Sequence, residues 1–82
     1  MKAMLNKMKH GVSFETAARV FDDEYKIIRP DKKHSQTEER FQVIGMVDDV
    51  LFVIYTERGE FTRIISARHA TPKERSEYYG DN

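Results

Sequence analysis

RFQVIGMVDDVLFVIYTERGEFTRIISA, residues 40–67, decides the fold. It contains three runs rich in Val, Ile, Phe, Tyr and Thr, side chains that suit a pleated, half-buried surface. These runs predict strands over Arg40–Ile44, Val50–Thr56 and Phe61–Ala67. The links Gly45–Asp49 and Glu57–Gly59 are short, so the strands should follow one another as an antiparallel meander. LFVIY, residues 51–55, is apolar without a break, which predicts a middle strand covered on both faces.

On the C-terminal side, Thr71-Pro72-Lys73-Glu74 has the N-cap, N1 proline and N3 glutamate of a capping box. A helix should run from there to about Tyr78 and fray over Tyr79-Gly80-Asp81-Asn82. On the N-terminal side, a strand fits Tyr25 to Arg29, stopped by Pro30, and the polar Asp31–Thr37 reads as a loop. Ser13 is placed to cap FETAARVF, where Phe14, Ala17, Ala18 and Phe21 form one stripe and Asp22-Asp23 ends the helix. Residues 2–9 are good helix formers, with Met4, Leu5 and Met8 at helical spacing and Gly11 suited to the C-cap. The predicted class is α+β: N-terminal helices, a four-stranded antiparallel meander and a short C-terminal helix, in one domain over 1–82.

Composition narrows the function. Lys and Arg number 14, and so do Asp and Glu. Zero net charge argues against binding nucleic acid through the whole-molecule field and leaves room only for a local basic face. There is no cysteine, so disulfides and thiolate-held zinc are excluded. No apolar run reaches the ~18 residues of a membrane span, and no secretory leader is evident. The expectation is a soluble cytoplasmic protein with no membrane attachment.

Arg58, Arg63 and Arg68 lie along one predicted hairpin, where guanidinium forks could surround a phosphate. On an unbroken strand Phe61, Arg63, Ile65 and Ala67 share one face, and Thr62, Ile64 and Ser66 the other. Ion pairing with Glu38, Glu39, Glu57 or Glu60 is the commoner fate of such arginines. His10, His34 and His69 are candidate acid–base groups. His10 alternatively complements a helix C-terminus, and His34 is alternatively a plain loop residue. Neither a paired-histidine metal motif nor a glycine-rich phosphate loop occurs, so no metal or cofactor is expected. Phe21, Phe41, Phe52 and Phe61 are assigned to the core. Tyr78 and Tyr79 either present functional hydroxyls or pack the last helix on the sheet.

Lys9-His10-Gly11-Val12-Ser13-Phe14, with Glu15 and Ala17, resembles the opening of the BrnT toxins. His34-Ser35, Glu39-Arg40, Gly45 and Tyr55-Thr56-Glu57-Arg58-Gly59 continue the match in order. It ends with Arg63-Ile64-Ile65-Ser66-Ala67-Arg68, Ala70, Glu74-Arg75 and Tyr78. The resemblance implies a RelE-like fold and a ribonuclease toxin of a type II toxin–antitoxin pair in the bacterial cytoplasm. It implies cleavage without a metal, by attack of the 2′-hydroxyl on the adjacent phosphate. It implies a BrnA-like ribbon–helix–helix antitoxin, with operator DNA bound only through that partner. Carried over, Arg63 and Arg68 would stabilise the charged phosphorane, His34 or Glu39 would act as base, and His10 or Tyr78 as acid. Lys9, Arg58 and Arg40 would hold phosphates. The family's usual first strand, bearing a Trp-Asp pair, has no counterpart before Lys2. Either the start is placed late or the strand is lost. Its loss is expected to expose a sheet edge, favour a homo-oligomer and weaken activity. The alternative functions are a non-catalytic antitoxin-binding module of the same fold and a generic RNA-binding domain.

Overall fold

A computed structural model describes residues 2–80. Helices α1 (Lys2–His10) and α2 (Phe14–Ala18) lead into strands β1 (Ile27–Pro30), β2 (Phe41–Val47), β3 (Asp49–Arg58) and β4 (Phe61–His69), and α3 (Pro72–Tyr79) follows. The strands pair in the order β1-β2-β3-β4, every pair antiparallel. The predicted α+β meander is the observed one. The expected fraying from Tyr79 is not seen at its first two residues, since Tyr79 is helical and Gly80 caps α3 at φ 74°; Asp81-Asn82 and any strand ahead of Lys2 lie outside the described residues.

β3 is covered on both faces, as LFVIY requires. On one side Val12, Ala17 of α2 and Val20 of the turn after it pack over Val43, Leu51, Val53 and Ala67, Val20 being completely buried, while α1 lies along β4. Tyr55 is gripped there by Phe21 edge-on at 4.9 Å and Phe41 stacked at 5.5 Å. On the other side Ile44, Val50 and Phe52 lie under Tyr78 of α3. Phe61 is the exception among the phenylalanines: it sits at the hairpin tip and is 76% exposed.

Boundaries moved where side chains compete for the backbone. Asp23 accepts the amide of Tyr25 in a local turn, so β1 starts at Ile27 and not at Tyr25. Pro30 stays inside β1 because an edge strand has one row of amides to spare. The expected single helix over FETAARVF tightens at Arg19–Asp22 into a 3₁₀ turn. That turn buries Val20, three residues after Ala17, and leaves Ala18 exposed. The β2–β3 connection is tighter than Gly45–Asp49 suggested, for only Asp48 stands between the strands, at φ 63°. Gly45 is inside β2 because Val20 backs onto it: a Cβ there would lie 3.0 Å from the Val20 Cβ and 3.1 Å from its carbonyl oxygen.

Two features bear on function, the first a correction. First, β4 carries a bulge. Ile54 pairs with Ser66 but Tyr55 pairs with Ile64, so Ile65 is the extra residue. Alternation is broken there. Ile64 and Ala67 turn to the α1–α2 side, while Arg63, Ser66 and Arg68 share the opposite face. Second, the Met4–Leu5–Met8 stripe of α1 faces outward, and the one buried residue of that helix is Asn6. Its amide nitrogen donates to the carbonyls of Val12 and Ala67, each at 2.8 Å, and its oxygen accepts the Ala67 amide at 3.0 Å. Asn6 therefore pairs with the outer edge of β4 as one residue of an additional strand would.

Asn6→Ala should cost about 2–3 kcal/mol, the sum of three buried hydrogen bonds and a stranded Ala67 amide. Asn6→Asp should cost at least as much, since a carboxylate would face two carbonyl oxygens. Urea unfolding checks both, and a loss under about 0.5 kcal/mol for either would contradict the assignment.

Candidate functional site

On the α3 side of the sheet, beside the helix, a cleft of ≈ 350 Å³ opens over Phe52 and Ile54. Its polar lining comes from four places, one of them Glu74 of α3. Arg29 and Gln42 stand opposite each other on β1 and β2. Asp31, Lys33 and His34 come from the short turn after β1, and Ser66 and Arg68 from β4. The bulge at Ile65 puts Ser66 and Arg68 on this face.

The turn is built around Asp31, whose side chain is 1% exposed. Its amide donates to the Arg40 carbonyl at 2.8 Å, and its carbonyl accepts the Ser35 hydroxyl at 2.7 Å. One carboxylate oxygen accepts Gln42 Nε2 at 3.0 Å, and the other meets His34 Nδ1 at 2.8 Å. Gln42 is itself fixed, since its oxygen accepts Arg29 Nε at 2.8 Å. A buried carboxylate on Nδ1 leaves Nε2 as the free nitrogen of a half-exposed imidazole. That is the arrangement a proton-transferring histidine needs.

Arg68 lies with its guanidinium carbon 4.1 Å from the Phe52 ring centroid. It forms a fork on Glu74, at 2.7 and 3.0 Å. Glu74 also closes the α3 capping box by accepting the Thr71 amide at 2.9 Å. Burial pushes the Glu74 carboxyl up, but the bonds from Arg68 and Thr71 outweigh it and hold the group below its usual range. Arg29 is paired with Glu77 of the same helix. Both arginines of the cleft thus have α3 glutamates as counter-ions.

The other candidates fall elsewhere. Arg63 shares the face of Ser66 and Arg68 but does not line the cleft, and it has no ion pair among the described residues. Arg58 and Arg40 both reach Glu38, at 3.1 and 3.5 Å, so ion pairing is the outcome for them. Burial raises the Glu38 carboxyl, and those two arginines more than reverse it. The Glu39 side chain is exposed and outside the cleft, while its carbonyl accepts the Thr56 hydroxyl at 2.7 Å. Lys9 and His10 line a second groove, between α1 and β4, which meets the cleft at Ser66. His69 pairs with Asp49 at 3.0 Å, away from both.

Tyr78 does not line the cleft: its hydroxyl donates to Asp23, which also accepts the Met46 amide at 2.8 Å. Burial, then the Asp23 bond, push its pKa up to about 12. Sequence reading missed Asp31, Gln42 and Arg29. The i, i+3 spacing of Asp31 and His34 was the one available signal.

Among the described residues no group of three His, Cys, Asp or Glu side chains is gathered to hold a metal ion, and no helix is long and apolar enough to cross a membrane. Fold and cleft define a class: a small α+β domain with a carboxylate-bound histidine, in the turn after β1, beside arginines of the sheet, a lining chemically suited to a phosphate-bearing ligand. A family model described as the ribonuclease toxin BrnT of type II toxin–antitoxin systems matches residues 1–74, and the chain belongs to that family. A ribonuclease toxin of this kind has RNA as its substrate and an antitoxin as its partner. No curated protein matches the chain.

The bonds that hold α3 should respond to pH at both extremes. Asp49 is lowered, first by its bond from Arg75, and Asp23 is lowered by Tyr78, Met46 and Tyr25 against the opposing push of burial. Their contributions, with that of Glu74, are complete at neutral pH and are lost as pH falls from about 4 through the lower folded values. Tyr78 runs the other way: its contribution is complete below pH ~10 and lost as pH rises towards about 12. In an alkaline titration followed by tyrosinate absorbance, Tyr78→Phe should remove the last step; by deleting a bond that lowers Asp23 it should also shrink that residue's share of the acid limb of near-ultraviolet dichroism and leave the shares of Asp49 and Glu74. An unchanged last step would assign it to another tyrosine.

Proposed function

We propose that this chain cleaves RNA in the cleft between β1, β4 and α3, without a metal, by attack of a 2′-hydroxyl on the adjacent phosphorus. The observation that carries the reading is the His34 imidazole, held by buried Asp31 and sharing a cleft with Arg68. His34 Nε2 takes the 2′-hydroxyl proton as the new O–P bond forms. The P–O5′ bond breaks, the leaving oxygen takes a proton from water in the open cleft, His34 later returns its proton to solvent, and a 2′,3′-cyclic phosphate remains. Arg68, and Arg63 further along the same face, stabilise the charge that builds on the phosphorane oxygens. Asp31 and Gln42 position the imidazole. Tyr78, Glu39 and His10 are left outside the proton transfers, and Arg58, Arg40 and Lys9 outside the reacting centre.

The family match supports this reading, and with it a ribbon–helix–helix antitoxin of the BrnA type that brings the pair to operator DNA in the cytoplasm.

Purified chain should cut RNA with EDTA present. His34→Ala should lower the rate about a hundredfold or more, and Arg68→Ala by a similar factor. Asp31→Asn should cost roughly tenfold through lost positioning. Tyr78→Phe should cut RNA at the wild-type rate at neutral pH. Activity that needs added metal, or a fully active His34→Ala, would sink the proposal.

A further inference from the structure

Met4, Leu5 and Met8 are 66%, 55% and 78% exposed. At about 100° per residue they form one continuous stripe on α1, well away from anchored Asn6. Lysines border it on both sides: Lys2 and Lys9 between the stripe and β4, Lys7 beyond it. On the β4 side the stripe runs into a groove of ≈ 310 Å³, where Leu5 and Ile65 meet Lys2 and Lys9. The helix has no acidic residue. Among the described residues none of its lysines has a carboxylate partner.

A chain of zero net charge has thus concentrated unpaired positive charge around an apolar strip. An apolar patch rimmed by polar residues marks an interaction site. RNA would use the lysines but gains little from covering methionine and leucine. A protein segment with apolar and acidic side chains uses both.

We propose that α1 is a docking surface for an acidic, apolar-faced segment of a partner protein. Its aliphatic side chains cover Met4, Leu5 and Met8, and its carboxylates meet Lys2, Lys7 and Lys9. This surface does not depend on the reading of the cleft.

The test uses the full chain and a fluorescein-labelled helical peptide with leucine at heptad positions a and d and glutamate elsewhere. Its lysine-for-glutamate counterpart is the control. The acidic peptide should bind, more weakly as salt is raised, and the basic one should not. Met4→Gln/Leu5→Gln/Met8→Gln and Lys2→Glu/Lys7→Glu should each weaken binding at least about tenfold. Both variants should keep the wild-type circular dichroism and rate of RNA cleavage. No binding, equal binding of the two peptides, or binding unaffected by the glutamine variant would overturn the proposal. So would wild-type self-association that the glutamine variant abolishes, which would give the stripe to a second copy. Weakened binding of an RNA oligonucleotide by that variant would give it to RNA. An inactive wild type or an active His34→Ala would fail the cleft alone and leave these outcomes readable.

Discussion

The side-chain amide of Asn6 ties together parts of the fold that have little else in common. α1 buries no apolar side chain, so the usual reason for a helix to stay on a sheet is missing. Asn6 replaces it with two donations and one acceptance, reaching Val12 in the turn between helices and Ala67 on the edge of β4. Once the amide is buried each of its bonds is needed, because an unmet partner would cost more than the bond returns. The same contact protects an edge strand at one residue, where an incoming chain would find the Ala67 backbone already paired.

Ala67 lies two residues beyond the bulge, and the two features together set the character of β4. An uninterrupted strand would send Arg63 and Arg68, five residues apart, to opposite faces. The extra residue at Ile65 brings them to one face and leaves Ala67 pointing into the α1–α2 core. The sequence could not show this. Ile64 and Ile65 are adjacent and equally apolar, so the two-residue period does not say which of them points inward. The meander and the capped α3 were legible because their signals are local: LFVIY between short links, and Thr71 with Pro72 and Glu74. Asn6 was not, since its partner lies 61 positions away. Nor was the direction of the α1 stripe, because helical spacing shows that apolar residues share a face and not that the face is covered. Asp31 was hidden in a segment that composition alone marks as loop.

The arrangement of charge explains how zero net charge coexists with a phosphate-suited cleft. Glu74 and Glu77 of α3 are spent on Arg68 and Arg29, Asp49 on Arg75 and His69, and Glu38 on Arg40 and Arg58. α3 has no buried residue, so the ion pairs of Glu74, Arg75 and Glu77 and the Tyr78–Asp23 bond, together with the packing of Tyr78, are what fasten it to the sheet. Exposed pairs contribute little one at a time. Four attachments on one short helix act together, and Glu74 gains from doing two jobs, as helix cap and as guanidinium partner.

This has a consequence for recognition. Among the cations lining the cleft, only Lys33 has no carboxylate partner among the described residues. A phosphate entering there meets little free positive charge and many fixed donors. The guanidinium of Arg68 is oriented by Phe52 and Glu74, and the imidazole of His34 by Asp31. Groups that are already aimed do not have to reorganise when charge develops on a substrate, and this favours a transition state over a ground state. Unpaired positive charge lies instead on α1, and there the intervening methionines and leucine make a poor surface for phosphate. The molecule thus separates directional polar chemistry on one side of the β4 edge from bare charge and apolar area on the other, with Ser66 as the residue common to both.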